Sequence, residues 1–566
     1  MRPVRRDVLR VAGAAAVLGL GSACARIPVE SPIDARALDG RAQPGAPYVR
    51  ALPPASDATA EEVVAGFVQA GVGPEDDFAM AREYLAAPAR EQWDPHAQVT
   101  IYSGSQELEV EVSDDGEATL VVRAVAMLDD RGARSLLSGP TSREITVGLE
   151  QVDDQWRLTS VPDGIFLSEA AFETLYAPAR LYFLDPRREH LVPDHRWFSL
   201  KRGAPGLLEG LIAGPADYLA PAVHSEVPST SGVTDAVITT APDGTVQVTV
   251  PQAVAALPAA PRALALAQLE NSLRSFQPLS GVRLVWEGAE GSPADEVGLE
   301  RALPGHRPIA AGPTGVISLA DISGSDPAQL VPDLVDIELG SPVIAQDGVL
   351  AAALTSGDST VVLASSDGSI ALREAATGGQ FVPPRIDDAG YVWTSTRESS
   401  GVLLALSGAD PEHDAKIDAP WLSGRRILAL DIAADATRMV VLSADTGGAR
   451  LDLCAVRRDE NGVPSALTEP IAMRPSLEDV TQASWYDEVA VLVLGEDSSS
   501  GEQRAQIVDF ASDRDPLPPL KTPTERIAGT VVADTIWAST SDGTLLRSDG
   551  DAWTTVDVDA TDPWFY

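Results

Sequence analysis

The chain has 566 residues, room for three or four domains, and its 44% hydrophobic and 22% charged content is that of folded globular protein. A formal net charge of −41 argues against nucleic acid, whose phosphates need a basic footprint, and against lying flat on an anionic lipid leaflet. The same charge favours solubility and would suit a basic partner.

Residues 1–23 read as a signal peptide. Arg2, Arg5, Arg6 and Arg10 make a basic start, and Val11 to Leu20 is an apolar run of half the length, about 20 residues, that a spanning helix needs. Gly21-Ser22-Ala23 leads directly into Cys24, one of only two cysteines. That placement resembles a bacterial lipobox, with Gly21 standing where Leu is usual and Leu20 one place earlier. The resemblance implies cleavage between Ala23 and Cys24, an S-diacylglycerol on the Cys24 thiol and an N-palmitoyl group on its amine. Such an anchor is durable: each buried methylene contributes about 0.8 kcal/mol, and a single acyl chain holds a protein only marginally. Cleavage removes four Arg and one Asp, which takes the net charge from −41 to −44. Arg5-Arg6-Asp7-Val8-Leu9-Arg10 also resembles a twin-arginine export signal, with Val4, Val8 and Arg10 where Ser or Thr, Phe and Lys are usual. The general and twin-arginine routes both stay open. No other apolar run reaches the length of a membrane span, so the expectation is a chain held by lipid at the outer face of the cytoplasmic membrane.

Residues 24–55 carry Pro28, Pro32, Pro44, Pro47, Pro53 and Pro54 without periodicity and read as a tether. A first domain, 56–176, opens with Ser56 or Thr59 as a helix cap, Glu61-Glu62 in the first turn, and Val63, Val64, Phe67 and Val68 at helical spacing. A second helix is expected to carry Phe78, Ala81, Tyr84 and Leu85. Strands follow at Gln106 to Val112 and Ala118 to Leu128, then a hairpin of Ile145 to Val152 and Gln155 to Val161 turning at Asp153-Asp154. Helices followed by a meander predict an α+β domain; that order resembles the nuclear-transport-factor-like fold. A second α+β domain, 177–310, has a buried strand at Leu181-Tyr182-Phe183-Leu184. Further strand segments follow through Leu191-Val192-Pro193 and Trp197-Phe198-Ser199-Leu200. A helix over 204–213 is stopped by Gly214-Pro215. A hairpin turning at Asp243-Gly244, a helix over 262–275 and a strand from Gly281 to Gly288 that closes the sheet complete it. From 311 to 566 helical periodicity almost vanishes. Strand cores recur at Val349, Tyr391, Met439, Val489 and Thr535, a loose period in the forties, which predicts an all-β propeller, with a pair of β-sandwiches as the alternative. Five blades are clear, and residues near 297–345 and the terminus are candidates for a sixth or seventh.

Leu181 to Asp185, Leu191-Val192-Pro193, Arg196 and Leu207 to Pro215 look like the GerMN module, as do Ser225-Glu226-Val227-Pro228 and Ala267 to Leu273. With that module in the middle, the whole chain resembles the actinobacterial LpqB lipoprotein family. Cys24-Ala25-Arg26-Ile27-Pro28, Val63 to Ala70, Ala81 to Leu85 and Trp93-Asp94-Pro95 carry the resemblance. Lysine at only three positions fits a GC-rich actinobacterial genome. The family's usual closing Tyr-Pro-Gly is absent; Asp562-Pro563-Trp564-Phe565-Tyr566 stands at the end, which leaves ring closure open. The resemblance implies a non-enzymatic accessory to a membrane sensor histidine kinase of the MtrB type in two-component signalling, with cell-wall material as a further candidate partner. An exported propeller hydrolase or lyase, and a passive envelope scaffold, are the alternatives.

Residue types for chemistry are sparse. Neither Gly-x-Ser-x-Gly nor His-Glu-x-x-His occurs. Ser356-Gly357-Asp358-Ser359 reads as a turn. His190 and His195 are near neighbours, but five-residue spacing puts them on opposite faces of a strand. The pairs Asp114-Asp115, Asp129-Asp130, Asp153-Asp154 and Asp387-Asp388 read as turn formers. Trp393, Trp485, Trp537 and Trp553 read as blade packing, and Cys454, in an alternating strand pattern, as a small buried hydrophobe. No catalytic residue, cofactor or metal ligand is expected.

Overall fold

The computed structural model describes residues 51–566, apart from 105–107, 114–115, 232–237, 242–244, 277–280, 287–288, 292–298, 321, 323–326, 356, 399–400 and 510–513. The expected signal peptide, Ala23, the lipidated Cys24 and the tether up to residue 50 lie outside the described residues, as do Asp114-Asp115, Asp243-Gly244 and Ser356. No helix of the described residues is long and apolar enough to cross a membrane.

Thr59 is the cap of α1 (Ala60–Ala70): its hydroxyl accepts from the Glu62 N–H while the Glu62 carboxylate accepts from the Thr59 N–H, a reciprocal capping box. The apolar face Val63, Val64, Phe67 and Val68 is buried. The expected second helix is only one turn, α2 (Ala79–Arg82), and a separate α3 (Ala87–Gln92) follows. The physical reason is competition from a sheet edge: the Leu158 N–H donates to Tyr84 C=O and the Ala86 N–H to Leu158 C=O, which pulls 84–86 out of helical geometry. Tyr84 nonetheless packs on α1. A Cβ at Gly66 would stand 2.6 Å from its ring, so glycine there admits it.

The sheet contains β1 (Gln98–Tyr102), β2 (Glu109–Val112), β3 (Glu117–Asp129), β4 (Arg134–Val152), β5 (Gln155–Ser160) and β6 (Ile165–Ser168). Its order is β5-β4-β3-β1-β6, with β2 also on β3. Along β3, Ala118, Leu120, Val122, Ala124, Ala126 and Leu128 point inward, the period-two pattern of a sheet with one buried face. All of them but Ala124 share one apolar cluster with α1. Helix α4 (Glu169–Leu175) leads out of the domain.

The second domain begins with the antiparallel pair β7 (Tyr176–Leu184) and β8 (His190–Ser199), followed by α5 (Gly203–Ala213), which ends at Gly214 with φ of 94°. Then come β9 (Ile238–Thr240), β10 (Val246–Thr249), α6 (Gln252–Ala255), α7 (Ala259–Ser275), β11 (Val282–Trp286), β12 (Ala289–Gly291) and β13 (Glu300–Arg301). The strand after α7 does not close the sheet of β7 and β8, as expected from sequence; it pairs in parallel with β10 in a second sheet, β12-β11-β10-β9. The cause lies on α7. The Ser272 hydroxyl accepts from the Tyr182 N–H at 2.8 Å, the Gln268 amide donates to the Tyr182 C=O at 3.0 Å, and the Ser275 hydroxyl accepts from the Arg180 N–H at 2.8 Å. Polar side chains of a helix thus satisfy the outer edge of β7 in place of another strand.

The described residues of 308–566 form six sheets: one of Pro308–Gly312, Gly315–Ser318 and Thr561–Phe565, then 339–377, 385–418, 426–473, 478–509 and 524–556. The first strand, Pro308–Gly312, spans the expected boundary at residue 310 and belongs with the propeller. The five recurrent cores of the sequence are the second strands of five sheets, at Leu350–Thr355, Tyr391–Ser395, Arg438–Asp445, Ala490–Glu496 and Thr535–Thr540. Successive inner strands pack on each other around the full circle, Thr561–Phe565 lying between Thr524–Thr530 and Leu339–Ile344. The ring closes without Tyr-Pro-Gly: Phe565 pairs with Pro308, Trp564 with Ile309 and Thr561 with Ala311, so the end of the chain completes the sheet that its own residues 308–318 begin.

Candidate functional site

One buried carboxylate fastens the second domain to the propeller. Glu488, in the loop between Glu478–Trp485 and Ala490–Glu496, is 3% exposed. It accepts from Arg180 of β7, from Arg301 of β13 and from the Tyr182 hydroxyl at 3.0 Å. Burial acts to raise its carboxyl, but the Arg301 hydrogen bonds and the charges of Arg301 and Arg180 hold it below the ordinary value. Arg438, itself paired with Asp435, donates to the Glu488 backbone at 2.6 Å. A second lock sits at Asp388, which takes Arg187 and, at 3.1 Å, His190. Burial opposes its ionisation, but hydrogen bonds from His190 and Arg187 keep Asp388 below its usual range, and the Asp388 bond raises His190. The Asp387-Asp388 pair is therefore more than a turn former. Asp387 does hold its turn through the N–H groups of Ala389 and Tyr391, yet it also accepts from Trp393 Nε1 at 2.7 Å and pairs with Arg458 at 2.5 Å. Asp129 and the Asp153-Asp154 pair are turn formers as expected: Asp129 accepts from two N–H groups in its own loop, and Asp153 and Asp154 take left-handed φ of 54° and 63°.

The connection from β13 crosses one mouth of the propeller channel. Leu303 C=O accepts from Gln346, Gly305 C=O accepts from the Thr530 hydroxyl at 2.8 Å, and a Cβ at Gly305 would lie 2.2 Å from the Tyr566 backbone. Beneath is a cavity of about 120 Å³. Arg385 lies over the Trp564 ring at 3.6 Å with its Nε 3.5 Å from Asp431. Burial raises Asp431 to about 6 against the pull of Arg385, and lowers Arg385 to about 10. Asp431 also accepts from the Trp485 N–H at 2.8 Å. Among the described residues no group of three or more His, Cys, Asp or Glu is placed to hold a metal ion. Trp393, Trp485 and Trp537 are buried in the blades, and Trp553 donates to Pro518 C=O at 2.9 Å. Asp358 of the 356–359 segment takes a left-handed φ of 65° between two propeller strands, as a turn requires.

The first domain docks on β8. Trp197 packs against Phe172 with ring centroids 5.0 Å apart and lies under Arg134 at 5.3 Å. Fully buried Arg196 pairs with Asp194 at 2.6 Å and donates to Arg131 C=O at 2.8 Å. Where all three domains meet there is a cleft of about 1020 Å³. Its walls are Arg134–Leu137 and α4 of the first domain, Tyr176–Pro178 and Trp197 of the second, and residues 471–476 of the propeller. His195 lines it, half-buried; burial and the nearby Arg180 charge lower it to about 4, so it is neutral at physiological pH. His190 and His195 diverge from β8, one to Asp388 and the other to this cleft. Sequence reasoning missed Glu488 and the cleft entirely, since the partners stand 187 to 308 residues apart and no local signal joins them. Cys454 is fully buried in the strand Gly448–Arg458, and burial pushes its thiol up. It should resist alkylation in the native chain and react only on unfolding; labelling by iodoacetamide without denaturant would contradict that.

An α+β domain, a GerMN domain and a closed ring of six sheets among the described residues, joined by ion pairs and hydrogen bonds, define a three-domain propeller protein. Family models match each part in turn: "Lipoprotein LpqB, N-terminal domain" at 53–173, "Sporulation and spore germination" at 180–292 and "Lipoprotein LpqB beta-propeller domain" at 320–565. Relatives described as Lipoprotein LpqB include one from Streptomyces avermitilis, 26% identical over 99% of this chain and 98% of its own. One from Cutibacterium acnes is 28% identical over 88% of each. Among solved structures, TolB from Acinetobacter baumannii aligns at 11% identity and a TM-score of 0.35, over 71% of this chain and 90% of its own. The chain belongs to the LpqB lipoprotein family.

Proposed function

We propose that this protein is exported, anchored through acylated Cys24 to the outer face of the cytoplasmic membrane, and acts there as a non-enzymatic accessory that binds and modulates a sensor histidine kinase of the MtrB type. Its first domain, which we read as nuclear-transport-factor-like from its helices on a curved sheet, and its GerMN domain follow the tether in the sequence and would meet the kinase's extracytoplasmic region. The observation that carries this reading is the assembly: Glu488 and Arg196 bind three domains into one body around a preformed cleft. Preformed surfaces bind without the cost of ordering. To modulate the kinase, the protein must bind its signalling states unequally, because equal affinity shifts no population.

Purification of the intact chain from solubilised membranes should bring down the kinase, and its loss should change response-regulator phosphorylation at a constant kinase level. Kinase recovery with unchanged phosphorylation would mark a passive scaffold instead. Absence of the kinase from the purified material would overturn the reading.

A further inference from the structure

The cavity beneath the 302–307 connection holds polar groups that the fold leaves unsatisfied. Arg385, on the inner strand Arg385–Ile386, is 7% exposed. It donates from Nη1 to the Pro384 C=O at 2.8 Å, but its Nε makes no hydrogen bond among the described residues. The nearer oxygen of Asp431 stands 3.5 Å from that Nε, beyond the about 3.2 Å of an N–H···O hydrogen bond. The other Asp431 oxygen accepts from the Trp485 N–H. Ser484 lines the same cavity, 3% exposed, and among the described residues its hydroxyl has no hydrogen-bond partner. A buried polar group left without its partner is costly, so these groups around one cavity point to a ligand that supplies the missing bonds.

The other charged residues of the lining are committed elsewhere. Asp387 takes Arg458 and Trp393, Asp388 takes Arg187 and His190, and exposed Asp347 accepts from the Val349 N–H. Arg526 and Asp562, whose charges act on Arg385, pair with each other at 3.0 Å. Ile344, Ile386, Trp485 and the Trp564 ring under Arg385 supply apolar walls. What remains is a cation and an anion side by side, each open to a further partner. Size narrows the choice. An engineered cavity of about 150 Å³ takes benzene, with its six heavy atoms; about 120 Å³ is room for about five or six.

We propose that this cavity binds a small α-amino acid, of glycine or alanine size, with its carboxylate on Arg385 and its ammonium on Asp431 and the Ser484 oxygen. An ammonium brings three donors and a carboxylate is the natural acceptor for a guanidinium. A zwitterion answers both buried charges at once. A plain anion or a plain amine would meet one of them and face the like charge of the other. The site goes beyond the kinase reading and does not depend on it.

Equilibrium dialysis of the full chain in detergent against radiolabelled glycine, L-alanine and D-alanine tests the assignment, run to constant counts so that slow entry past the connection does not limit it. Binding at one site per chain is expected, with a Kd below about 1 mM for at least one of the three. Acetate and methylamine, with one charge each, should bind at least about tenfold more weakly. Asp431→Asn keeps the shape and an acceptor for the Trp485 N–H, and should weaken amino-acid binding at least about tenfold. Ser484→Ala removes only a hydroxyl without a partner, so it should melt within about 2 °C of the parent and still bind more weakly; it carries the test if the Asn variant does not fold. No amino acid retained, acetate or methylamine bound as tightly as alanine, or Ser484→Ala binding like the parent would overturn the proposal.

Discussion

Glu488→Ala is expected to undock the propeller from the two domains before it. The substitution removes the one carboxylate that Arg180, Arg301 and the Tyr182 hydroxyl share and leaves two guanidinium groups facing each other. Breaking a buried ion pair from one side costs about 3–5 kcal/mol. Here the arginine side chains remain 32% and 48% exposed, so water relieves part of that, and about 2–3 kcal/mol is the expected loss. Glu488→Gln keeps the shape and an acceptor oxygen but not the charge, and should fall between the two. The sign with pH follows from the depressed carboxyl. Its contribution is fully present above the unfolded value of about 4.3 and is lost as pH falls through the lower folded value. Calorimetry should therefore show an early transition in Glu488→Ala at neutral pH, and cleavage in the connection at 302–307 under limited proteolysis. A parent-like melting profile with a protected connection would show that the docking rests on other contacts.

Truncation after Ala560 is expected to abolish cooperative folding of the propeller. The lost residues supply the inner strand of the closing sheet, the Trp564 ring under Arg385, and Asp562, which accepts from the Ser341 N–H and pairs with Arg526 at 3.0 Å. Phe565 alone, 6% exposed, should cost about 3–5 kcal/mol when cut to Ala. A whole domain is stable by only about 5–15 kcal/mol. With the strand gone, the sheet of residues 308–318 and its neighbours at 339–344 and 524–530 lose their inner partner, and the ring opens. Near-ultraviolet circular dichroism should lose its tryptophan signal and the thermal transition should broaden. A truncated chain that melts within a few degrees of the parent would mean that the other five sheets hold the ring unaided.

Local patterns were legible in the sequence wherever one face of an element is apolar. The α1 stripe, the alternation of β3 and the five recurrent propeller cores all fall into this class. Strands β1 and β6 went unread because Gln98–Tyr102 and Ile165–Ser168 are short runs buried at the centre and edge of a sheet, without alternation long enough to show a period. The second helix failed because the edge of β5, brought close by the fold, takes the backbone groups of 84–86. Gln268, Ser272 and Ser275 lie on α7 as expected, but their work on the β7 edge appears only when the helix is set beside it. Ring closure was open in the sequence because pairing joins residue 308 to residue 565, and no spacing rule spans that distance. The candidate site was the least legible part. Glu488 is one acidic residue in an Asp-Glu turn, indistinguishable from the solvated turns around it until Arg180 and Arg301 converge on it.

Every functional statement depends on the chain being held at a lipid surface through Cys24. Metabolic labelling with palmitate, read on the parent and on Cys24→Ser, tests this most directly. The parent should carry label, run at the mass of a chain beginning at Cys24 and stay with membranes through high-salt washing. Cys24→Ser should lose the label, retain residues 1–23 and resist normal processing. An unlabelled parent, or a serine variant processed and membrane-bound like the parent, would contradict the account.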